Sequence, residues 1–503
     1  MALRTVQQYV ESLRDGRTVY FRGARVDDVT THPVIGVAVR HAAIDYQMAE
    51  DPAHRELATL TAPDGERYSR YYQVPRSAED QIARSALIER ATAAGGTLVV
   101  LIKEIGTDAL FSLLRTASAM DANGSPEYLP RVEAFYRHCR SNDLAIAVAQ
   151  TDVKGDRSRG PAAQVDPDLY VRIVERRSDG IVVRGAKAHT SVSTNANELI
   201  VLPTRAMSEA DRDYAVSFAI PIATPGLVLL ASAYDSTAPE RSPLEFPISA
   251  RHKMMETTTV FNDVFVPWER VFLAGEYEFA GPLALAFVEH HRFTAVSYKL
   301  PLVDALVGAG LLMADFNGIS KAGHVREKLV HLITYAETLR GLTHYAASRS
   351  RPREYGIAVP DPLYVNMAKY QFAHGYHEAV RNVQDIAGGA LVTGPGAEDL
   401  ESPETARYYE KFYAGRVGIE GRVRLQALSL VRDLVASEFA GYQEVLAVHA
   451  EGSLEAEKLA LLRSYDTKPA LDLVRRLARL DEGGIDAPGL AGQRQPAEKR
   501  NPK

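Results

Sequence analysis

A single cysteine, Cys139, and a single tryptophan, Trp268, stand in a chain of 503 residues. One thiol cannot build an intrachain disulfide framework, and it cannot hold a metal cluster that needs several thiolates of one chain. Excess charge is also scarce, since 58 Lys+Arg against 64 Asp+Glu leave −6. That balance carries no electrostatic footprint for nucleic acid or an anionic membrane, so neither is expected as a partner. Long apolar runs are short: Leu98 to Ile102 is typical, well below the ~20 residues needed to span a bilayer. Met1 to Gln8 has no apolar signal core. The expectation is a soluble, cytoplasmic protein. What is present is an ordinary globular composition, 46% hydrophobic and 24% charged, long enough for about three domains.

The texture changes twice along the chain. Residues 1–143 are rich in helix formers, as in Gln81-Ile-Ala-Arg-Ser-Ala-Leu-Ile-Glu-Arg-Ala, broken at Asp64-Gly65 and Asn123-Gly124. This predicts a mainly helical N-terminal domain. Over 144–275 the period becomes that of strands: Val171 and Ile173 alternate with charged residues, and Ser178-Asp179-Gly180 leads into Ile181-Val182-Val183. Asp-Gly between two such runs signals a hairpin. Further β runs at Leu199–Leu202, Val216–Ile220, Leu227–Leu230 and Thr257–Val266 predict a small β domain or barrel. From 276 to 480 the helical period returns. Val325, Leu329, Leu332, Ala336 and Leu339 form an amphipathic stripe. Asp361-Pro362 reads as an N-cap with proline at the first helical position. Long helices are expected from about Arg422 to Glu444 and Leu454 to Leu480, giving a four-helix bundle. The tail 481–503, polar and rich in Gly and Pro, is expected to be disordered. Gly308-Ala-Gly310-Leu-Leu-Met313 lacks the third glycine of a dinucleotide fingerprint and sits in a helical pattern, so no nicotinamide crevice is expected.

Several segments carry a resemblance. Tyr9-Val-Glu-Ser-Leu-Arg-Asp-Gly-Arg-Thr-Val-Tyr20, Arg25-Val-Asp-Asp-Val-Thr-Thr-His-Pro33, Val264-Phe-Val-Pro-Trp-Glu-Arg-Val271 and Asp385-Ile-Ala-Gly-Gly389 resemble the two-component 4-hydroxyphenylacetate 3-monooxygenases. Thr151-Asp-Val-Lys-Gly-Asp-Arg-Ser158, Asp168-Leu-Tyr, Gly180-Ile-Val-Val-Arg-Gly-Ala-Lys-Ala-His189 and Asp213-Tyr-Ala-Val-Ser-Phe218 are closer still to the sister branch, the 4-hydroxybutyryl-CoA dehydratases. The resemblance spans about residues 8–480. It implies an α+β, acyl-CoA dehydrogenase-like fold (helical domain, β-barrel-like domain, four-helix bundle), FAD as cofactor and a homotetramer.

Departures from both branches matter. The dehydratase branch holds an iron–sulfur cluster with three cysteines and a histidine; the cysteine positions fall on Leu113, Ala117 and Tyr298, and only His291 survives. Thiolates hold such iron, so no metal is expected. A C-terminal carboxylate of that branch falls on Leu446. Of the hydroxylase branch's substrate triad, Arg115 is present, but Ala119 and Val148 stand for a tyrosine and a histidine. The resemblance implies Gln150, Thr151, Lys154, Gly155, Asp156, Arg157, Thr190, Ser191 and Ser437 as flavin contacts. Without it, the Lys154–Arg157 run reads as a charged surface turn, and the hydroxyls as turn formers and a solvated helix serine. Arg115 for charge positioning, with Glu256 and His291 for proton transfer, form the expected catalytic set. Lys299, two turns from His291 on one helix face, and Arg292 are expected to meet substrate.

The expected activity is a two-component monooxygenase that takes reduced FAD from a separate reductase and uses O₂ to hydroxylate or oxidise a small-molecule or carrier-bound substrate. A cluster-free acyl-CoA isomerase or dehydratase-like flavoenzyme is one alternative. A flavin-binding protein without catalysis is the other.

Overall fold

The computed structural model describes residues 3–234 and 241–480; the tail expected to be disordered lies outside them. Three helices, Ala78–Ala94, Glu104–Ala122 and Tyr128–Ser141, dominate the N-terminal region. The first opens on a capping box in which Ser77 and Asp80 satisfy each other's backbone N–H groups. The region is not purely helical. Val19–Phe21 and Ala24–Val26 form a hairpin that adds to a sheet of the middle region. These three-residue strands are too short to announce themselves by periodicity.

The barrel-like middle region consists of two sheets. In the six-stranded sheet the order is Ala24–Val26, Val19–Phe21, Leu227–Ser232, Glu256–Pro267, Gly180–Ser191, Arg172–Arg176. The last two strands are the hairpin expected at Asp179-Gly180. The four-stranded sheet runs Val271–Ala274, Val216–Pro221, Glu198–Val201, Ile146–Ala149. Phe218 from one sheet meets Phe261 from the other edge to face, their ring centres 5.7 Å apart.

The pairing of Glu256–Pro267 with Gly180–Ser191 contains a bulge. Thr257 pairs with Thr190 but Thr258 pairs with Ala188, so His189 is extruded in the left-handed region with φ 63°. Bulges of this kind re-aim side chains beside functional sites. Here the shift returns Ser191 to the face that carries Glu256, and the two are directly paired.

Helices Ala280–Phe316, Gly323–Ser348, Pro362–Ala387 and Gly421–Val435 build the C-terminal bundle. The side chain of Asp361 caps the third by accepting from the Leu363 N–H. In the second, Val325, Leu332, Ala336 and Leu339 are buried as the stripe requires, with Leu329 half-buried. The first is long and apolar enough to span a bilayer by length and composition, with a mean hydropathy of 1.4 over its most apolar window. It packs against helices 78–94, 104–122, 323–348 and 362–387, and a helix with neighbours on several sides is apolar all round.

Two expected helices are each broken. Gly421–Val435 and Glu438–His449 are separated at Ala436-Ser437, and Leu454–Ser464 and Lys468–Leu477 at Tyr465–Thr467. Ser437 caps the helix that it was expected to sit within, accepting from the Phe439 and Ala440 N–H groups. Both breaks carry residues that favour caps over helix interiors, which a continuous apolar period conceals.

Candidate active site

The bundle meets the outward face of the six-stranded sheet at Glu256. This carboxyl is half-buried between sheet and bundle and accepts from Ser191 Oγ at 3.0 and 2.9 Å and from Tyr442 Oη at 3.0 Å. Burial pushes its pKa up to about 7, against those two hydrogen bonds. Tyr442 comes from the helix that Ser437 caps and stacks on Tyr234 at 4.9 Å between ring centres.

A second carboxylate lies on the bundle side. Glu451 accepts from Lys299 Nζ at 2.7 Å and from the Tyr298 hydroxyl, with Lys369 Nζ 3.7 Å away. Burial raises its pKa, but Lys299, Lys369 and His291 outweigh burial and hold it at about 2. Burial lowers Lys299 to about 8, with Glu451 opposing. The phenols of Tyr298 and Tyr442 are pushed well above their ordinary value, by burial first and then by Glu451 and Glu256 respectively. Both therefore stay protonated and donate. Two carboxyls at one seam are thus driven apart: Glu451 is a fixed anion, while Glu256 exchanges its proton near neutrality.

His291 completes the arrangement through a buried aspartate. Asp108 accepts from Arg84 Nη2 at 2.8 Å and Thr294 Oγ1 at 3.0 Å, and lies 3.2 Å from His291 Nδ1. Arg84 and His291 keep its carboxyl ionised in spite of burial. An ionised carboxylate only accepts, so Nδ1 carries the proton and Nε2 is left to act.

Other expected site residues are placed differently. Arg115 does not stand free for a flavin or an anion: Glu289 Oε2 at 2.8 Å and Glu354 Oε2 at 2.9 Å take up its guanidinium, with His290 Nε2 at 3.4 Å. His290, next to His291 on the helix, is buried within that group. Ser437 Oγ donates to the Asp433 carbonyl at 2.7 Å while capping its helix, which leaves it no hydrogen for a cofactor. Arg292 likewise has every guanidinium nitrogen engaged, with Glu451 O at 2.9 Å, Asn366 Oδ1 at 2.7 Å and Glu457 at 3.3 Å. Charge-bearing groups buried in a dry seam find protein partners, because leaving them unpaired is costly.

Glu451, Tyr442 and Lys369 were not singled out from sequence. Glu451 sits five residues beyond Leu446, in the turn that follows the helix. Lys369 left a signal: it interrupts the buried stripe Val365, Phe372, Tyr376 at helical spacing. A lysine inside an apolar stripe must meet a carboxylate or carbonyl, and this one donates to Ala447 O at 3.1 Å.

The residues fit a flavin. Thr190, paired with Thr257 on the face opposite Glu256, has a buried Oγ1 with no hydrogen-bond partner among the described residues. Glu256, Thr258 and Val260 alternate onto one face of their strand, where Val260, Val228, Ala186 and Arg184 line an open groove of about 410 Å³. The Gln150–Arg157 loop is tied to that sheet: Gln150 O accepts from Lys187 Nζ at 2.8 Å and Thr151 O from Ala188 N at 3.0 Å. Gly155 has φ 48°, and a Cβ there would stand 2.6 Å from Gln164 Oε1. Asp156 is spent on Ser158 and Arg159. Lys154, whose pKa burial and then Arg157 lower, lies near two more cations, Arg157 of its own loop and Arg205 from the segment after strand Glu198–Val201, as a phosphate-bearing ligand needs. An iron–sulfur cluster does not fit: Leu113 and Ala117 bear no donor, and the Tyr298 hydroxyl is bound to Glu451.

Helical region, paired sheets and bundle, with a buried acid–base cluster at the seam, define an enzyme of acyl-CoA dehydrogenase-like architecture. Family models described as the 4-hydroxyphenylacetate 3-hydroxylase N-terminal and C-terminal regions match residues 5–273 and 280–479, and the chain belongs to this family. It is 32% identical over 494 residues to a 4-hydroxybutyryl-CoA dehydratase/vinylacetyl-CoA-Δ-isomerase of Clostridium aminobutyricum, covering 95% of this chain and 99% of the relative. It is 30% identical over 475 residues to the oxygenase component of a 4-hydroxyphenylacetate 3-monooxygenase of Thermus thermophilus, covering 94% and 96%. A solved oxygenase component of 4-hydroxyphenylacetate 3-monooxygenase in complex with FAD superposes with a TM-score of 0.88 at 28% identity, covering 95% of this chain and 99% of that one.

Proposed function

We propose that the protein is the oxygenase component of a two-component, FAD-dependent monooxygenase, supplied with reduced FAD by a separate reductase. The observation that carries this reading is the pair of carboxyls with opposed tendencies at the flavin face, Glu256 near neutrality and Glu451 fixed as an anion, with Tyr298 where the dehydratase branch needs an iron ligand. Bound FAD supplies the redox and oxygen chemistry. Ser191, on the groove face, and the Lys154–Arg157 loop would hold it. Glu256 passes a proton at its carboxyl, relayed through the Ser191 and Tyr442 hydroxyls. His291 Nε2 offers a second proton site, with Asp108 orienting its ring. The half-buried Tyr234–Tyr442 stack covers the Glu256 side against water. The substrate is a small organic molecule, free or carrier-bound, and Ala119 and Val148 in place of a tyrosine and a histidine point away from a simple phenol.

The family's 4-hydroxybutyryl-CoA dehydratase relative favours a second reading, a cluster-free acyl-CoA isomerase that uses Glu256 and His291 to move a proton. Mixing the protein, loaded anaerobically with reduced FAD, with O₂ separates them. A transient near-ultraviolet absorbance is expected of the oxygenase. Its absence, together with deuterium exchange from solvent into an acyl-CoA, selects the isomerase. Absence of both leaves a flavin-binding protein without catalysis.

We propose a homotetramer, as the family resemblance implies. Support comes from the last two helices, which expose Leu462, Leu473, Val474 and Leu477.

A further inference from the structure

Glu451 holds its place at a conformational cost. It is a non-glycine residue with φ 56°, followed by Gly452 at φ 119°. Two successive positive φ values reverse the chain between helices Glu438–His449 and Leu454–Ser464. Backbone outliers of this kind persist where surrounding groups hold them and concentrate at functional sites. The group that holds this one is Arg292, whose Nε donates to the Glu451 carbonyl at 2.9 Å. Its Nη1 donates to Asn366 Oδ1 at 2.7 Å, and Asn366 is itself fixed by donating to Pro362 O at 2.6 Å. Its Nη2 lies 3.3 Å from Glu457 in the helix beyond the turn. A Cβ on Gly452 would stand 2.5 Å from that Nη2 and 3.0 Å from Glu457 Oε1, so the turn closes down on the guanidinium.

Arg292 and Lys299 are seven residues apart on one helix, two turns, and share a face. One grips the main chain of Glu451 and the other its carboxylate, at 2.7 Å. We infer that Arg292 is a positioning residue: it holds the left-handed Glu451–Gly452 turn and thereby presents the Glu451 carboxylate to Lys299 and Tyr298, rather than binding substrate. This rests on the reading of the seam as the reaction site.

The test uses the full chain loaded with FAD, in the variants Arg292→Met, Arg292→Lys and Gly452→Ala. Glu451 is faced by Lys299, Lys369, Tyr298, His291 and, from the next helix, Glu457. Once the turn relaxes, Lys299 loses its anion while Lys369 remains, and its ammonium form is disfavoured. The expected result in Arg292→Met and Gly452→Ala is an acid shift of about one pH unit in the Lys299 labelling profile with an amine reagent, read by mass spectrometry. The decay rate of the near-ultraviolet transient is expected to change by about 10-fold or more, with the dissociation constant for reduced FAD within about twofold. Arg292→Lys, retaining one donor and the charge, should fall between these and the parent. Should Arg292→Met not fold, the other two variants carry the comparison. An unchanged Lys299 profile in Gly452→Ala and Arg292→Met overturns the inference, as does a weakened reduced-FAD affinity with the decay untouched. Glu256→Gln run alongside distinguishes the two failures: inert Arg292 variants beside an affected Glu256→Gln refute the positioning role alone, while an inert Glu256→Gln refutes the site.

Discussion

Glu256 and Glu451 share an environment yet differ in charge at neutral pH, because one is met by hydroxyls and the other by ammonium groups. Hydroxyl donors soften the cost of burying an ionised carboxylate; lysines reverse it. If Glu256 handles the proton, Glu256→Gln slows turnover by ~10²-fold or more, measured as steady-state rate with reduced FAD supplied. The same residue makes a stability prediction. Its folded pKa is raised from 4.5 to about 7, so its contribution is fully present below about pH 4.5 and is lost as pH rises through 7, a change of roughly 3 kcal/mol. Glutamine cannot ionise. Urea unfolding of the flavin-free protein should therefore show Glu256→Gln gaining on the parent between pH 5 and 8. Tyr442→Phe removes a hydrogen bond that favours the carboxylate, so the Glu256 limb of the pH–rate profile should move alkaline, by up to about one unit.

At the scale of the elements, the helix break at Ala436-Ser437 sets Tyr442 against the sheet. Asp433 secures the same junction from the bundle side: its carboxylate accepts from the Ile248 and Ser249 N–H groups, each at 2.8 Å, in the segment that leads to Glu256. Ser437 lies in this junction, donating to the Asp433 carbonyl while capping its helix. Ser437→Ala should cost about 1 kcal/mol and leave FAD affinity unchanged in a fluorescence titration; a loss of affinity would restore it as a cofactor contact. The Asp361-Pro362 start and the 325–339 stripe were legible because cap chemistry and period agree locally. The breaks before Ser437 and Lys468 were not, since a continued apolar period hides a serine or proline that ends one helix and starts another.

For the whole molecule, Arg115 ties helix Glu104–Ala122 to Glu289 of the central bundle helix and to Glu354 in the loop before helix Pro362–Ala387. Arg115→Met should destabilise by on the order of 2 kcal/mol, most of it from the better buried Glu289 contact, since Glu354 is half open to solvent. FAD should stabilise the folded chain by mass action, about 2.7 kcal/mol at a hundredfold excess over its dissociation constant. Calorimetry with and without FAD checks this.

Local order was legible in the chain alone. Periodicity and turn chemistry gave the succession of helices, strands and bundle, and one cysteine ruled out a cluster of several thiolates. Glu256, His291 and Lys299 were expected at the site through motifs that resemble the family, and the structure brings them to one seam. Side-chain partners came from long-range packing. Whether an arginine meets a ligand or a neighbouring carboxylate depends on which groups share its buried space, and that space is assembled from segments hundreds of residues apart. So Arg115, Arg292 and Ser437 went to the protein's own groups, while Glu451, Lys369 and Tyr442 entered the site from helices whose sequence signalled only packing.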